Sequence, residues 1–110
     1  MNVLYIDDSS MLLSAIHSVL TRAGHDVTIT ESAIEGISLA KEHDYDLILC
    51  DHDMPEMSGT KVFDHLSPKN KKKFALFTGG SSPSPNGRLI LKGMMDSKLF
   101  LNKIEGMHNE

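Results

Sequence analysis

Residues 46–59 read DLILCDHDMPEMSG, and this stretch decides the fold. Four consecutive apolar residues, 47–50, stand directly before Asp51, and turn-forming Pro, Ser and Gly residues follow. A strand that is apolar at every position is typical of the middle of a parallel sheet, where helices cover both faces. We therefore predict a central strand over 46–50 that ends at Asp51.

Short strand-like runs alternate with helix-like segments on both sides of this stretch. The other predicted strands cover residues 3–6, 25–30, 74–77 and about 98–101. The predicted helices cover residues 10–23, 33–43, about 60–66 and, weakly, 88–95. This alternation indicates βαβ units around a parallel sheet, so we expect an α/β protein built as a three-layer αβα sandwich.

Capping signals mark the first two helices. Ser9 or Ser10 precedes the first helix, and Gly24 follows it where a helix commonly ends in a left-handed glycine. Ser32 and Glu35 have the S-x-x-E spacing of a capping box, which predicts that the second helix starts at residue 33.

The second half of the chain has weaker signals. Residues 79–87 are rich in Gly, Ser and Pro, which favours a flexible active-site loop or lid, and the spacing of a phosphate-binding P-loop is absent. Only seven residues follow Lys103, too few for a stable isolated helix. We therefore expect a shortened fourth helix and a last helix that is truncated or absent.

Composition bounds the class of protein. The 110 residues suffice for one domain, 1–110, and no apolar run is long enough to cross a membrane. A single cysteine cannot form an internal disulfide, and this together with the lack of a signal-peptide pattern favours the cytoplasm. Because this cysteine, Cys50, lies in an apolar run, we expect its thiol to be buried. A net charge of -4 argues against nucleic acid as a partner, so we interpret the lysines at 69 and 71–73 as a solvated loop.

Reactive side chains follow four of the predicted strands. Asp7 and Asp8 follow the first strand, Asp51 the third, Thr78 the fourth, and Lys103 comes just after the fifth. In an open parallel sheet such residues gather at the carboxyl ends of the strands. Converging carboxylates repel one another, and a hard cation such as Mg²⁺ relieves that repulsion. The pattern therefore predicts a metal site.

A carboxylate attacks a phosphoryl group poorly because both are anionic, so such a site needs cations and fixed donors. The metal and the Lys103 ammonium would supply positive charge, and the Thr78 hydroxyl would supply a donor. The constellation thus points to phosphoryl transfer onto Asp51.

Residues 46–59, together with Asp7-Asp8, Thr78 and Lys103, resemble the phosphoacceptor segment and accompanying site residues of two-component receiver domains. The resemblance covers roughly residues 2–103 in the family's order. It implies a flavodoxin-like sheet of strand order 2-1-3-4-5. It also identifies Phe100, three residues before Lys103, with the family's switch aromatic, acting with Thr78.

By the same resemblance, Asp51 accepts the phosphoryl group, while Asp8, Asp51 and the backbone carbonyl of Asp53 ligate Mg²⁺ or Mn²⁺ and Asp7 positions the ion. The chain is then a switch and not an enzyme. A histidine kinase or phosphotransfer protein would phosphorylate it, a downstream protein would read the change, and a homodimer stays open. The isoleucine after Lys103, the unusual 79–87 loop and the missing last helix depart from the family and suggest an altered output surface.

Two alternatives remain. Asp51-His52-Asp53 is a D-x-D after an apolar strand, as in haloacid-dehalogenase-like phosphatases, but Asp7-Asp8 come first in this chain whereas that class opens on its D-x-D. A pseudo-receiver that binds a partner without phosphorylation is the other alternative. Mg²⁺-dependent phosphorylation separates the three.

Overall fold

The central strand predicted before Asp51 is present in the computed structural model, which describes residues 1–80, 83–94 and 96–108. Five strands form one parallel sheet of order β2-β1-β3-β4-β5. They are β1 (Asn2–Ile6), β2 (Asp26–Thr30), β3 (Leu47–Asp51), β4 (Phe74–Thr78) and β5 (Leu89–Leu91). The α/β class and the 2-1-3-4-5 order are therefore confirmed.

Helices flank this sheet. They are α1 (Ser10–Arg22), α2 (Ala33–Glu42), α3 (Gly59–Asp64), α4 (Pro68–Lys71) and α5 (Ser97–His108), with a short 3-10 turn at Lys92–Met94. The predicted caps are present, since Ser9 accepts from the Leu12 N–H and Ser32 from the Glu35 N–H. Gly24 has a φ of 91°, as expected of a residue that ends a helix in the left-handed region.

Two apolar layers hold the sheet between its helices. On one face, residues of α1 and α5 such as Ile16 and Ile104 pack against Tyr5 and Phe77 of the sheet. On the other face, α2 and α3 cover Ile48 and other strand residues. Every residue of β3 is buried, as its unbroken apolar run predicts.

The last third of the chain differs from the prediction. Residues 89–91, predicted as part of a weak helix, form the edge strand β5. The predicted fifth strand at 98–101 lies inside α5, a 12-residue helix, so the expectation of a truncated or absent last helix was wrong.

The reason for both errors is local. An edge strand needs only a few residues, and in β5 Ile90 is buried while Leu91 is 40% exposed. In α5 the residues Phe100, Ile104 and Met107 are buried at spacings of four and three, the period of a helix and not of a strand. Asp96 also caps this helix, because its Oδ1 accepts from the Lys98 N–H at 2.8 Å.

The connection between β4 and β5 contains no helix in residues 79–80 and 83–88, the part of it that the structure describes. The side-chain amide of Asn86 donates to the backbone carbonyls of Lys71, at 3.0 Å, and Phe74, at 2.8 Å. This connection is therefore anchored near β5. The lid predicted for 79–87 falls partly on residues 81 and 82, which lie outside the described residues.

None of the helices in the described ranges combines the length and apolarity that a membrane crossing requires.

Two helical glycines give opposite predictions for alanine substitution. A Cβ on Gly36 of α2 would meet the Ile6 side chain, with Cγ1 at 2.7 Å, whereas a Cβ on Gly106 of α5 has nothing within 4 Å. We expect Gly106→Ala to raise the free energy of unfolding by up to ~1 kcal/mol. Gly36→Ala should lower it by about 1–3 kcal/mol through overpacking. Urea unfolding followed by circular dichroism measures both, and shifts of the same sign would contradict the packing described.

Candidate functional site

Asp7 lies immediately beyond β1 and is fully buried. The Tyr5 hydroxyl donates to its Oδ2 at 2.5 Å, and the Ser9 N–H donates to its Oδ1 at 3.0 Å. Two donors therefore fix this carboxylate. Asp8, the next residue, is exposed to solvent.

Asp51 is the last residue of β3, and it is 3% exposed. Since Ile6 of β1 lies opposite Cys50 of β3, Asp7 and Asp51 leave neighbouring strands at the same level of the sheet. One carboxylate oxygen from each of Asp7, Asp8 and Asp51 lies within 4.8 Å of the other two. The predicted convergence of three acids is present.

Lys92 supplies the positive charge at these acids. Its Nζ donates to Asp51 Oδ1 at 2.6 Å and lies 3.6 Å from Asp7 Oδ2. The side chain reaches them across the Phe77 ring, with Nζ 5.4 Å from the ring centroid. Lys92 follows β5 directly, so its position obeys the same rule of strand ends that gathers the acids.

The prediction that Lys103 occupies this position was wrong. Lys103 lies on α5, is exposed, and lines a surface cavity with Gly87 and Leu89 at the start of β5. The start of β5 is the opposite end of the sheet from the Asp51 carboxylate. The error arose because the fifth strand was predicted about ten residues too late in the chain.

The predicted place of Phe100 was wrong for the same reason. It belongs to α5, is 3% exposed, and its ring centroid lies 5.8 Å from that of Phe77, so it is a core residue and not a residue of the fifth strand. The residue three before Lys92 is Leu89, which is not aromatic. The switch role predicted for Phe100 therefore has no counterpart at its expected place.

Thr78 ends β4 and is buried, and its hydroxyl accepts from the Gly80 N–H at 3.1 Å. In the sheet register Asp51 pairs with Phe77, which places Thr78 one residue further along the neighbouring strand. Thr78 thus lies at the predicted strand end. Asp53 is exposed in the loop after β3.

The loop that follows Asp51 is held at two points. Glu56 Oε1 accepts from the Ala33 N–H at 2.7 Å, which fastens the loop to the start of α2. The Gly59 N–H donates to the His52 carbonyl at 2.9 Å. A Cβ on Gly59 would come within 2.6 Å of the Asp51 backbone oxygen, so the close approach of α3 to the site requires a glycine there.

Burial and like charges act together on the acceptor. Burial raises the pKa of Asp51 above its ordinary value, and the charges of Asp7 and Asp8 add to this while Lys92 opposes it. Burial lowers the pKa of Lys92, but the hydrogen bond to Asp51 and the nearby acids outweigh it, and the pKa is raised overall. The acids are thus short of positive charge even with Lys92 in place.

Cys50 is not a nucleophile of this site. Its thiol is free and fully buried, and burial, followed by the charges of Asp51 and Asp7, raises its pKa. The buried interpretation of this cysteine is confirmed.

A hard divalent cation fits this donor set. Carboxylate oxygens are the ligands that Mg²⁺ and Mn²⁺ prefer, and Asp8 leaves one side of the cluster open to solvent. Two buried carboxylates raise each other's free energy, and a cation would remove that repulsion. With a neighbouring ammonium, the arrangement can also neutralise a phosphoryl group held against Asp51.

Sequence reasoning missed Lys92, although a signal for it existed. The run Leu89-Ile90-Leu91 is apolar at three successive positions and ends directly at Lys92, just as 47–50 ends at Asp51. Three residues are too few to distinguish a strand from a helix by periodicity.

Comparison with known proteins agrees with this geometry. The profile of the response regulator receiver domain matches residues 3–104. The cell cycle transcriptional regulator CtrA of Caulobacter vibrioides is 38% identical over 82 residues, which are 74% of this chain and 36% of that protein. The chain therefore spans about a third of the length of this curated relative.

Two solved structures share the fold. A CheY-like receiver domain protein of Methanospirillum hungatei superposes with a TM-score of 0.88 at 23% identity, over 98% of this chain and 93% of that one. The receiver domain of the hybrid histidine kinase CckA gives a TM-score of 0.84 at 17% identity, over 98% and 99%. With the matched profile and the CtrA relatives, the strand order and the acids at the strand ends identify this chain as a member of the response regulator receiver domain family.

Proposed function

We propose that this chain is a phosphoacceptor switch of a two-component system, in which a histidine kinase or phosphotransfer protein transfers a phosphoryl group to Asp51 with the help of Mg²⁺. The observation that carries the proposal is the ion pair between Lys92 and Asp51 at 2.6 Å, beside the carboxylates of Asp7 and Asp8. This arrangement offers a nucleophile, a fixed cation and acidic ligands at one edge of the sheet.

The transfer uses an Asp51 carboxylate oxygen as the nucleophile. This oxygen forms a bond to phosphorus while the bond from phosphorus to the donor's nitrogen breaks, and the donor leaves with that electron pair. Lys92 then holds its charge against the phosphoryl oxygens, and the Thr78 hydroxyl serves as a donor to them. The phosphoryl group stays on Asp51 after the transfer, so in this proposal the chain acts as a switch and not as an enzyme that releases a product.

The metal site of the proposal is the acidic cluster. Asp8 and Asp51 would hold the Mg²⁺ or Mn²⁺ ion with the backbone carbonyl of Asp53, and Asp7 would help to position it. Bound Mg²⁺ supplies positive charge next to the phosphoryl oxygens. The Tyr5 hydroxyl acts as a positioning group, because it donates to the Asp7 Oδ2 at 2.5 Å and so fixes that carboxylate.

We propose an output for this switch that does not use Phe100. The residue three positions before Lys92 is Leu89, so a rearrangement of Thr78 has no aromatic side chain at that position to move. Thr78 instead leads directly into the β4–β5 connection, which Asn86 fastens to the start of β4. We propose that a downstream protein reads this connection, and that the chain works as one receiver domain in the cytoplasm, alone or as a homodimer.

A pseudo-receiver that binds its partner without phosphorylation is the second candidate. The leucine at position 89 and the lack of a helix in the described part of the β4–β5 connection favour it. The chain order of the acids weighs against the phosphatase alternative.

A phosphorylation assay distinguishes the phosphoacceptor switch from the pseudo-receiver, and it also tests whether Lys92 or Lys103 assists the transfer. Incubation with a small phosphodonor and Mg²⁺ should add one phosphoryl group by intact-mass spectrometry, and Asp51→Asn should abolish the gain. Lys92→Gln should slow the reaction by about 10²-fold, the usual cost of a lost charge-stabilising group.

Lys103→Gln is the matched control, since it removes the same charge from the opposite end of the sheet. Its rate should equal that of the unmodified protein. Slowing by Lys103→Gln but not by Lys92→Gln would overturn the assignment, and an unphosphorylated protein would favour the pseudo-receiver.

The two tyrosines of the chain provide a test of the metal site. Tyr5→Phe frees the Asp7 carboxylate and should weaken Mg²⁺ binding by about tenfold or more, as for other groups that orient a metal ligand. Tyr45→Phe is the control, because Tyr45 packs with the α2 and α3 side of the sheet. Isothermal titration calorimetry measures both affinities, and equal values would exclude the positioning role of Tyr5.

The raised pKa of Asp51 predicts how stability changes with pH in a metal-free buffer. An acid whose pKa is raised by folding favours the folded state below its unfolded pKa, 3.8, and that contribution is lost as the pH rises through the folded pKa. Since the Asn side chain does not titrate, the variant Asp51→Asn does not lose stability in this way as the pH rises. The variant should therefore gain free energy of unfolding relative to the unmodified protein as the pH rises above about 4, as measured by urea unfolding. If the difference in free energy of unfolding between the variant and the unmodified protein stayed constant or narrowed as the pH rose, the raised pKa of Asp51 would be contradicted.

A further inference from the structure

A basic cavity lies at the end of the sheet opposite Asp51. Its volume is about 640 Å³, within the range of small-molecule sites. Its lining comes from the segments that enter β3, β4 and β5, with one residue each from α3, α4 and α5. The lining residues are Asp46, Phe63, Lys71, Lys72, Lys73, Asn86, Arg88 and Met107.

Positive charge dominates this cavity although the whole chain carries a net charge of -4. Four of the lining residues are basic, namely lysines 71–73 and Arg88, and one, Asp46, is acidic. The Asp46 Oδ2 already accepts from the Asn2 N–H at 2.7 Å. A concave surface lined by one sign of charge concentrates its field, so this cavity attracts anions.

The backbone that carries these lysines is fixed. The Lys73 carbonyl accepts from the Ile48 N–H at 2.9 Å, and the Lys71 carbonyl accepts from the Asn86 side chain at 3.0 Å. The Asn86 Oδ1 also accepts from the Arg88 N–H at 3.1 Å. Three strand entries are therefore tied together around the cavity.

Apolar groups complete the lining. The half-buried ring of Phe63 lies 5.3 Å from the Lys71 Nζ, while Met107, which packs on the other face of the sheet, is only 5% exposed. Lysine ammoniums bind phosphate as point charges, and aromatic and thioether groups contact planar rings. Charged and apolar groups thus occur side by side in one concavity.

We propose that this cavity binds a nucleotide, with the phosphates at the three lysines and the base against Phe63. The site is separate from the acidic cluster and does not depend on phosphorylation of Asp51. It gives the domain a second input at the opposite end of the sheet.

Isothermal titration of the full chain with ADP, in buffer containing a chelator so that the acidic cluster takes no part, tests the proposal. Adenosine and inorganic phosphate, titrated separately, distinguish the base from the phosphate. ADP should bind more tightly than either.

The variant Lys71→Gln/Lys72→Gln/Lys73→Gln should weaken ADP binding by about tenfold or more, because it removes the charge-assisted contacts. Its matched control is Lys41→Gln/Lys61→Gln/Lys98→Gln, which removes the same charge from exposed lysines elsewhere. Equal weakening in both would show a net-charge effect and overturn the site.

Amide chemical shifts of the unmodified protein provide a measurement that does not depend on the folding of a variant. ADP should shift Lys73 and Asn86 and leave Asp7 and Asp51 unchanged. Absent shifts, phosphate binding as tightly as ADP, or a single-stranded oligonucleotide binding more tightly than ADP would each overturn the proposal.

Discussion

Repulsion among three carboxylates, only partly compensated by one ammonium, is the constraint on which the site depends. Asp7 and Asp51 are buried side by side, and Lys92 contacts both. Burial and the neighbouring acids raise the pKa of Asp51 despite that contact. The fold thus holds an arrangement that is unfavourable by itself, and the two apolar layers around the sheet must compensate for it. A cation that binds at such a site stabilises the folded protein, because it reduces the repulsion among the carboxylates. Metal binding is in this way linked to the proposed chemistry.

Parallel topology brings these groups together. The residue after β1, the last residue of β3, the last residue of β4 and the residue after β5 come from distant parts of the sequence, yet all lie at the carboxyl edge of one sheet. The opposite edge collects the segments that enter β3, β4 and β5, and it is basic. Clusters of opposite charge therefore lie at the two ends of the strands, the acids around Asp51 at one end and lysines 71–73 at the other.

Sequence reasoning predicted the strands and helices from β1 to α3 because strong signals coincide there, but it missed the four-residue helix α4. The apolar run before Asp51 is long enough to identify a buried strand, and the Ser32 cap is a local signal that the structure confirms. The prediction was wrong where the elements are short. Three apolar residues were not recognised as β5, and the helical spacing in α5 was overlooked, so Lys103 was chosen in place of Lys92. The acids were found because they follow the better-defined strands, while the roles of all these residues stay predictions.

The most direct test of the account is an anomalous difference map from crystals of this chain grown with Mn²⁺. We expect the map to show one strong peak between the carboxylates of Asp8 and Asp51, with the Lys92 ammonium facing Asp51. A map with no peak at the acidic cluster, or with Lys92 turned away and another cation at Asp51, would contradict it.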